Sequence, residues 1–98
     1  MAFIVTKEAA NWYKEEMDLE QGDYVQYYLQ IYGGIPTSLP NYSLGMSVGE
    51  SEDIAVKVEV AGITFYFKED NAWLFNEYDL TVDVEKDDLS FEFSEKEA

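Results

Sequence analysis

Apolar and polar residues alternate along most of this chain, and a period of two suits strands that bury one face and wet the other. Val25, Tyr27, Leu29 and Ile31 point one way, while Gln26, Tyr28 and Gln30 point the other. Tyr42, Leu44, Met46 and Val48 alternate in the same manner with Asn41, Ser43, Gly45 and Ser47. Ile54, Val56, Val58 and Val60 alternate with Ala55, Lys57 and Glu59, and Ala61-Gly62 then turns the chain into Ile63, Phe65 and Phe67, which predicts a hairpin. Tyr78, Leu80, Val82 and Val84 alternate with Asp79, Thr81 and Asp83, and a last strand carries Leu89, Phe91 and Phe93 inward. Residues 94–98 read as a fraying polar tail.

Helical spacing enters near the start. Phe3–Val5 is a short apolar strand, Thr6 offers an N-cap oxygen, and the pattern predicts a helix over Lys7–Asp18. Ala10, Tyr13 and Met17 form its buried stripe, with Ala9 and Trp12 flanking. Gln21-Gly22-Asp23 is a turn, Gly33-Gly34 stops the next strand, and Ile35–Pro40 reads as a loop. Asp70 is placed to cap a short helix over Ala72–Phe75. The expected fold is therefore mainly β, a β-rich α+β chain of two packed, largely antiparallel sheets with one N-terminal helix and one short helix. No linker or repeat interrupts residues 1–98, so a single domain is expected.

Composition narrows the chemistry. The chain has no cysteine, histidine or arginine. Thiol catalysis, histidine-based triads, zinc sites, thiolate-held clusters and bidentate phosphate clamps are thereby excluded. The net charge is −15, with only six lysines. Such a surface repels nucleic acid and anionic membranes, and favours cations or basic protein partners. No stretch reaches transmembrane length and the N-terminus lacks a signal-like apolar run, so a cytoplasmic protein is expected.

Several stretches resemble one known family. Ile4-Val5-Thr6-Lys7-Glu8-Ala9-Ala10, followed by Lys14-Glu15-Glu16-Met17, is similar to the opening of the HesB/IscA-like proteins, the A-type iron–sulfur cluster biosynthesis family. Tyr28–Gly34, Tyr42-Ser43-Leu44, Val60-Ala61-Gly62-Ile63-Thr64-Phe65 and Asn71–Leu80 resemble later parts of that pattern. The family's three cysteines are missing: Gly34 is followed by Ile35, and the chain ends Ser94-Glu95-Lys96-Glu97-Ala98. The resemblance implies a HesB-like fold in a cysteine-free, YneR-like branch, without cofactor. It implies a non-catalytic accessory or interaction protein whose partner is basic or of the iron–sulfur assembly type.

Carboxylates, hydroxyls, amides and lysines are left for any site. Glu50, Glu52 and Asp53 crowd one loop, Asp79, Asp83 and Glu85 alternate along one strand, and Glu85, Asp87 and Asp88 crowd the next turn. The first two groups, as Glu50, Glu52, Asp53, Asp79 and Asp83, are the alternative reading, a weak divalent-cation module. Ordinary solvated charge is the better reading of all three groupings, since no EF-hand spacing is present. Carboxylate- or tyrosine-assisted hydrolysis ranks last, because nothing apolar in the sequence marks a carboxyl for a raised pKa. A plain structural crossover is the preferred reading of the Gly33–Pro40 loop. The alternative is a partner surface around Tyr28, Gly33, Gly34, Ile35, Thr37 and Ser38, where exposed tyrosines would adjoin the Gly-Gly end of a strand.

Overall fold

The computed structural model describes residues 3–30, 35–36 and 43–95. Two mixed β-sheets pack face to face. Strand β1 (Phe3–Val5) leads into helix α1 (Lys7–Glu16), followed by β2 (Tyr24–Gln30), the two-residue β3 (Ile35–Pro36) and β4 (Ser43–Val48). The hairpin β5 (Ile54–Val60) and β6 (Ile63–Lys68) comes next, then a 3₁₀ turn (Glu69–Asn71), helix α2 (Leu74–Glu77), and the hairpin β7 (Tyr78–Glu85) and β8 (Asp88–Glu95). The smaller sheet has the order β1-β7-β8 and the larger β3-β4-β2-β6-β5. Most pairs are antiparallel, as expected. Two are parallel: β1 with β7, and β2 with β6.

The alternation places the core. Phe3, Val5, Leu80, Val82, Phe91 and Phe93 from the smaller sheet are buried against Val25, Tyr27, Leu44, Val56, Phe65 and Phe67 from the larger. Aromatic rings join the layers: Phe3 meets Phe67 at 5.4 Å, and Tyr27 meets Phe91 at 5.6 Å, both edge to face. Helix α1 buries Ala9, Ala10 and Tyr13 in the same cluster, with Met17 packed against it. α2 adds Leu74 and Phe75, whose ring lies 5.0 Å from that of Phe67.

Thr6 caps α1 as its position suggested. Its Oγ1 accepts the Ala9 N–H, and its own N–H donates to the Val82 carbonyl, which ties the helix start to β7. Four expectations are corrected. The helix ends at Glu16, not Asp18, because Asp18 turns into the left-handed region with φ 54°. Ile35 and Pro36, read as loop, pair with β4 at the margin of the sheet, where a proline costs no ladder bond. Asp70 does not cap the short helix. It lies within the 3₁₀ turn, and α2 starts later, at Leu74, without a side-chain cap. Ser94 and Glu95 still pair with β7, because Tyr78 and Asp79 provide partners for them.

Candidate interaction surface

The alternative partner surface falls partly within the described residues. Tyr28 lies on the outer face of the larger sheet, half-buried and directly opposite the buried Gly45. Ile35 is placed by its backbone, paired with Leu44. Gly33, Gly34, Thr37 and Ser38 lie outside the described residues. The same outer face carries Tyr24 and Gln26 from β2 beside Tyr66 from β6, with Lys57 and Glu59 on β5. Tyr66 is 1% exposed despite its outward phase. The Tyr24 ring meets it edge-on, and its hydroxyl donates to the Gly49 carbonyl at 2.7 Å. Burial, then the nearby charge of Glu50, raises its pKa. The parallel β2–β6 pairing creates this shelter, and local alternation in the sequence carries no sign of it.

The acidic residues stay dispersed. Glu50 and Glu52 are exposed on the β4–β5 loop, and Asp53 has φ 62° with its carbonyl accepting the Glu69 N–H. Asp79 is half-buried on β7. Asp83 is exposed and structurally engaged: its Oδ1 accepts from the Thr6 hydroxyl and from the Val84 N–H, each at 2.8 Å. The Thr6 bond, then the Val84 bond, lowers its pKa. Among the described residues, no group of three or more carboxylates is arranged to hold a metal ion.

The tyrosines deepest in the core serve packing. The Tyr13 and Tyr27 hydroxyls are 2.6 Å apart, and Tyr13 donates onward to Met46 Sδ at 3.2 Å. Burial raises both pKa values. A hydroxyl so enclosed and kept protonated is unsuited to attack a substrate.

Among the described residues, two of the surface concavities involve the acidic strand and turn. A hollow of about 160 Å³ on the outer face of the smaller sheet is lined by Thr81, Asp83, Val84, Glu85, Ser90 and Glu92. A groove of about 420 Å³ runs between α1 and the β7–β8 turn, where Glu8, Asn11, Trp12, Glu15 and Glu16 face Val84 and Asp87. The Trp12 indole crosses this groove to donate to the Asp87 carbonyl at 3.0 Å. In the sequence, Asp87 groups with its neighbours in the turn and Trp12 flanks the helix stripe. The spacing of Glu8, Trp12 and Glu15 on one helix face was the available signal.

The geometry defines a class: a small β protein of two mixed sheets. No family model matches the chain. It is 38% identical over 87 residues to a Bacillus subtilis protein named pyruvate dehydrogenase inhibitor, spanning 89% of this chain and 90% of that protein. It is 30% identical over 95 residues to an uncharacterised Staphylococcus saprophyticus protein, spanning 93% of this chain and 97% of that one. The chain belongs to the family of the Bacillus protein. The expected membership of the HesB/IscA-like family is overturned, since no model of it matches and the Bacillus relative is named for a different role. The stretches behind that resemblance do generic work: Thr6 caps a helix, and Ala61-Gly62 turns a hairpin.

Proposed function

We propose that this chain is a non-catalytic regulator that acts by binding a protein, and that its target is pyruvate dehydrogenase. The observation that carries the reading is the near full-length relation to a protein named as an inhibitor of that enzyme. The residue inventory is compatible with it, since a chain without cysteine or histidine has neither a thiol nucleophile nor an imidazole base. The net charge of −15 adds a direction: the surface that meets this protein is basic, and attraction between the two speeds their encounter. The test is affinity capture on the immobilised chain, using an extract of the source cell. Pyruvate dehydrogenase subunits should be retained at low salt and released as salt rises. Their absence, when an unrelated acidic protein of similar charge captures equally little, would reject the target.

A further inference from the structure

Among the described residues the sheets end in four edge strands: β1 and β8 on the smaller, β3 and β5 on the larger. An edge offers unpaired N–H and C=O groups to any other chain, and proteins guard it with brevity, proline, bulges or lysine. Three of the four are guarded in these ways. β1 has three residues, and β3 has two, one of them Pro36. β5 breaks register between Ile54 and Val56 and carries Lys57. β8 has none of these devices: its eight residues hold continuous register with β7 and include neither lysine nor proline.

The β7–β8 turn fixes which groups of β8 face the open side. Lys86 and Asp87 have φ 53° and 67°, as a two-residue hairpin turn requires. Glu85 and Asp88 therefore close the ladder, and every second pair beyond them exchanges both hydrogen bonds. Ser90 and Glu92 bond to β7, while Leu89 and Phe91 turn their N–H and C=O groups away from it. The Val82 carbonyl follows the same phase: Val82 stands opposite Phe91, and its carbonyl turns from β8 to accept the Thr6 N–H at 2.9 Å. On the open side, Leu89 and Phe91 have no backbone partner among the described residues.

The side chains of β8 select what can pair there. A strand added beside it sets alternate residues next to half-buried Leu89 and buried Phe91, at the margin of the core. Its other residues lie next to Asp88, Ser90 and Glu92 on the outer face, where both carboxylates are exposed. Asp88 stands directly opposite Glu85, and like charges opposed across a ladder repel. A second copy of β8 would add more carboxylates to this row, on a chain already at −15. A strand bearing cations would instead relieve it. We propose that the free edge of β8 accepts an extended segment of a partner protein as an added antiparallel strand, one in which apolar residues alternate with lysine or arginine. The proposal deepens the regulator reading by naming its mode of contact, and rests on that reading for the identity of the target.

The test uses the whole chain, labelled with ¹⁵N, and follows the backbone amide resonances of Leu89 and Phe91. The probe is the peptide acetyl-Lys-Val-Lys-Val-Lys-Val-Lys-amide. It should shift both resonances saturably and slow the exchange of both amide hydrogens. In antiparallel pairing the valines lie opposite Leu89 and Phe91 and donate to them, while the lysine N–H groups point away. N-methylation of the valines should therefore abolish binding, and N-methylation of the lysines should leave it intact. Leu89→Pro removes one outward N–H without touching the β7 ladder, and should also weaken binding. A second variant avoids any backbone change: Asp88→Lys with Glu92→Lys, both at exposed positions, should weaken the dissociation constant about tenfold. It should do so without lowering the melting temperature, since it removes the clash with Glu85. The edge is overturned if the valine-methylated peptide binds as well as its parent, if Leu89 and Phe91 do not respond, or if an alternating Glu-Val peptide binds equally. A dimer of the chain that the probe peptide dissociates would give the edge to a second copy and overturn the basic partner. Inhibition assays separate this proposal from the one beneath it. A doubly charge-reversed variant that inhibits pyruvate dehydrogenase as well as the parent removes the edge and leaves the regulator. A parent that does not inhibit, yet binds the peptide as described, removes the target and leaves the edge.

Discussion

Tyr13 and Tyr27 meet in the core with their hydroxyls 2.6 Å apart, where either could donate, and Tyr13 has a second acceptor in Met46 Sδ. With the Tyr13 proton on the sulfur, Tyr27 donates to Tyr13. Tyr13→Phe therefore leaves a buried donor without an acceptor, at a cost of about 1–3 kcal/mol. Tyr27→Phe leaves Tyr13 its sulfur acceptor and should cost less. Urea denaturation of the two single variants and the double variant checks this, with the double closer to Tyr27→Phe than the sum of the singles. The pair also bears on alkaline stability. Both folded-state pKa values are raised by burial above the ordinary tyrosine value of 10.0. The unfolded chain releases these protons first. Stability is then intact below about pH 10 and falls as pH rises through the window above it. Replacing both tyrosines with phenylalanine should flatten that decline in a pH series of thermal melts.

Elements are joined by a few polar ties, and two of these are open to test. Thr6 caps α1 while its hydroxyl donates to Asp83 on β7, so one side chain links helix start and sheet. Thr6→Ala should cost about 1 kcal/mol. Asp83 has a lowered pKa, so its bond contributes above the ordinary carboxylate range and is lost as pH falls through and below it. Asp83→Asn should reduce the acid dependence of the melting temperature below about pH 4. The second tie is the β5–β6 turn, where Ala61 and Gly62 have φ 53° and 84°. An alanine at Gly62 would hold a left-handed backbone and place its Cβ 2.7 Å from Gln21 Cγ. The flexible Gln21 can give way, but the backbone cannot, so Gly62→Ala should cost about 1 kcal/mol, read from the urea midpoint. This turn was legible in the sequence, as were the Thr6 cap and the inward phase of β4 to β8, because each is written in neighbouring residues. The start of α2 was not. Trp73 precedes it without a capping bond, and the 3₁₀ turn absorbs the aspartate that looked like the cap.

Across the whole molecule, the parallel pairs are what local pattern could not supply. Val25 registers with Phe65 and Phe3 with Leu80, and such partners are far apart in sequence. The burial of Thr64 and Tyr66 follows from that register. The groove shares this limit: Glu8, Trp12 and Glu15 were legible as one helix face, whereas the arrival of Asp87 beside them depends on how α1 lies against β7. Charge, by contrast, was fully visible. A net −15 on a chain of 98 residues repels itself in the folded state. Salt shortens the reach of that repulsion to about 10 Å at 0.1 M. The melting temperature should therefore rise as NaCl is added from very low concentration, with little further gain from Ca²⁺ at matched ionic strength. Saturable stabilisation by sub-millimolar Ca²⁺ would instead indicate a specific cation site.

The regulator reading meets its most direct test in the rate of the target enzyme. Purified chain is titrated into pyruvate dehydrogenase from the same source, with NADH formation followed at fixed substrate and low salt. The rate should fall saturably with added chain and recover when salt weakens the acidic contact. A rate unchanged at a large molar excess would contradict the account.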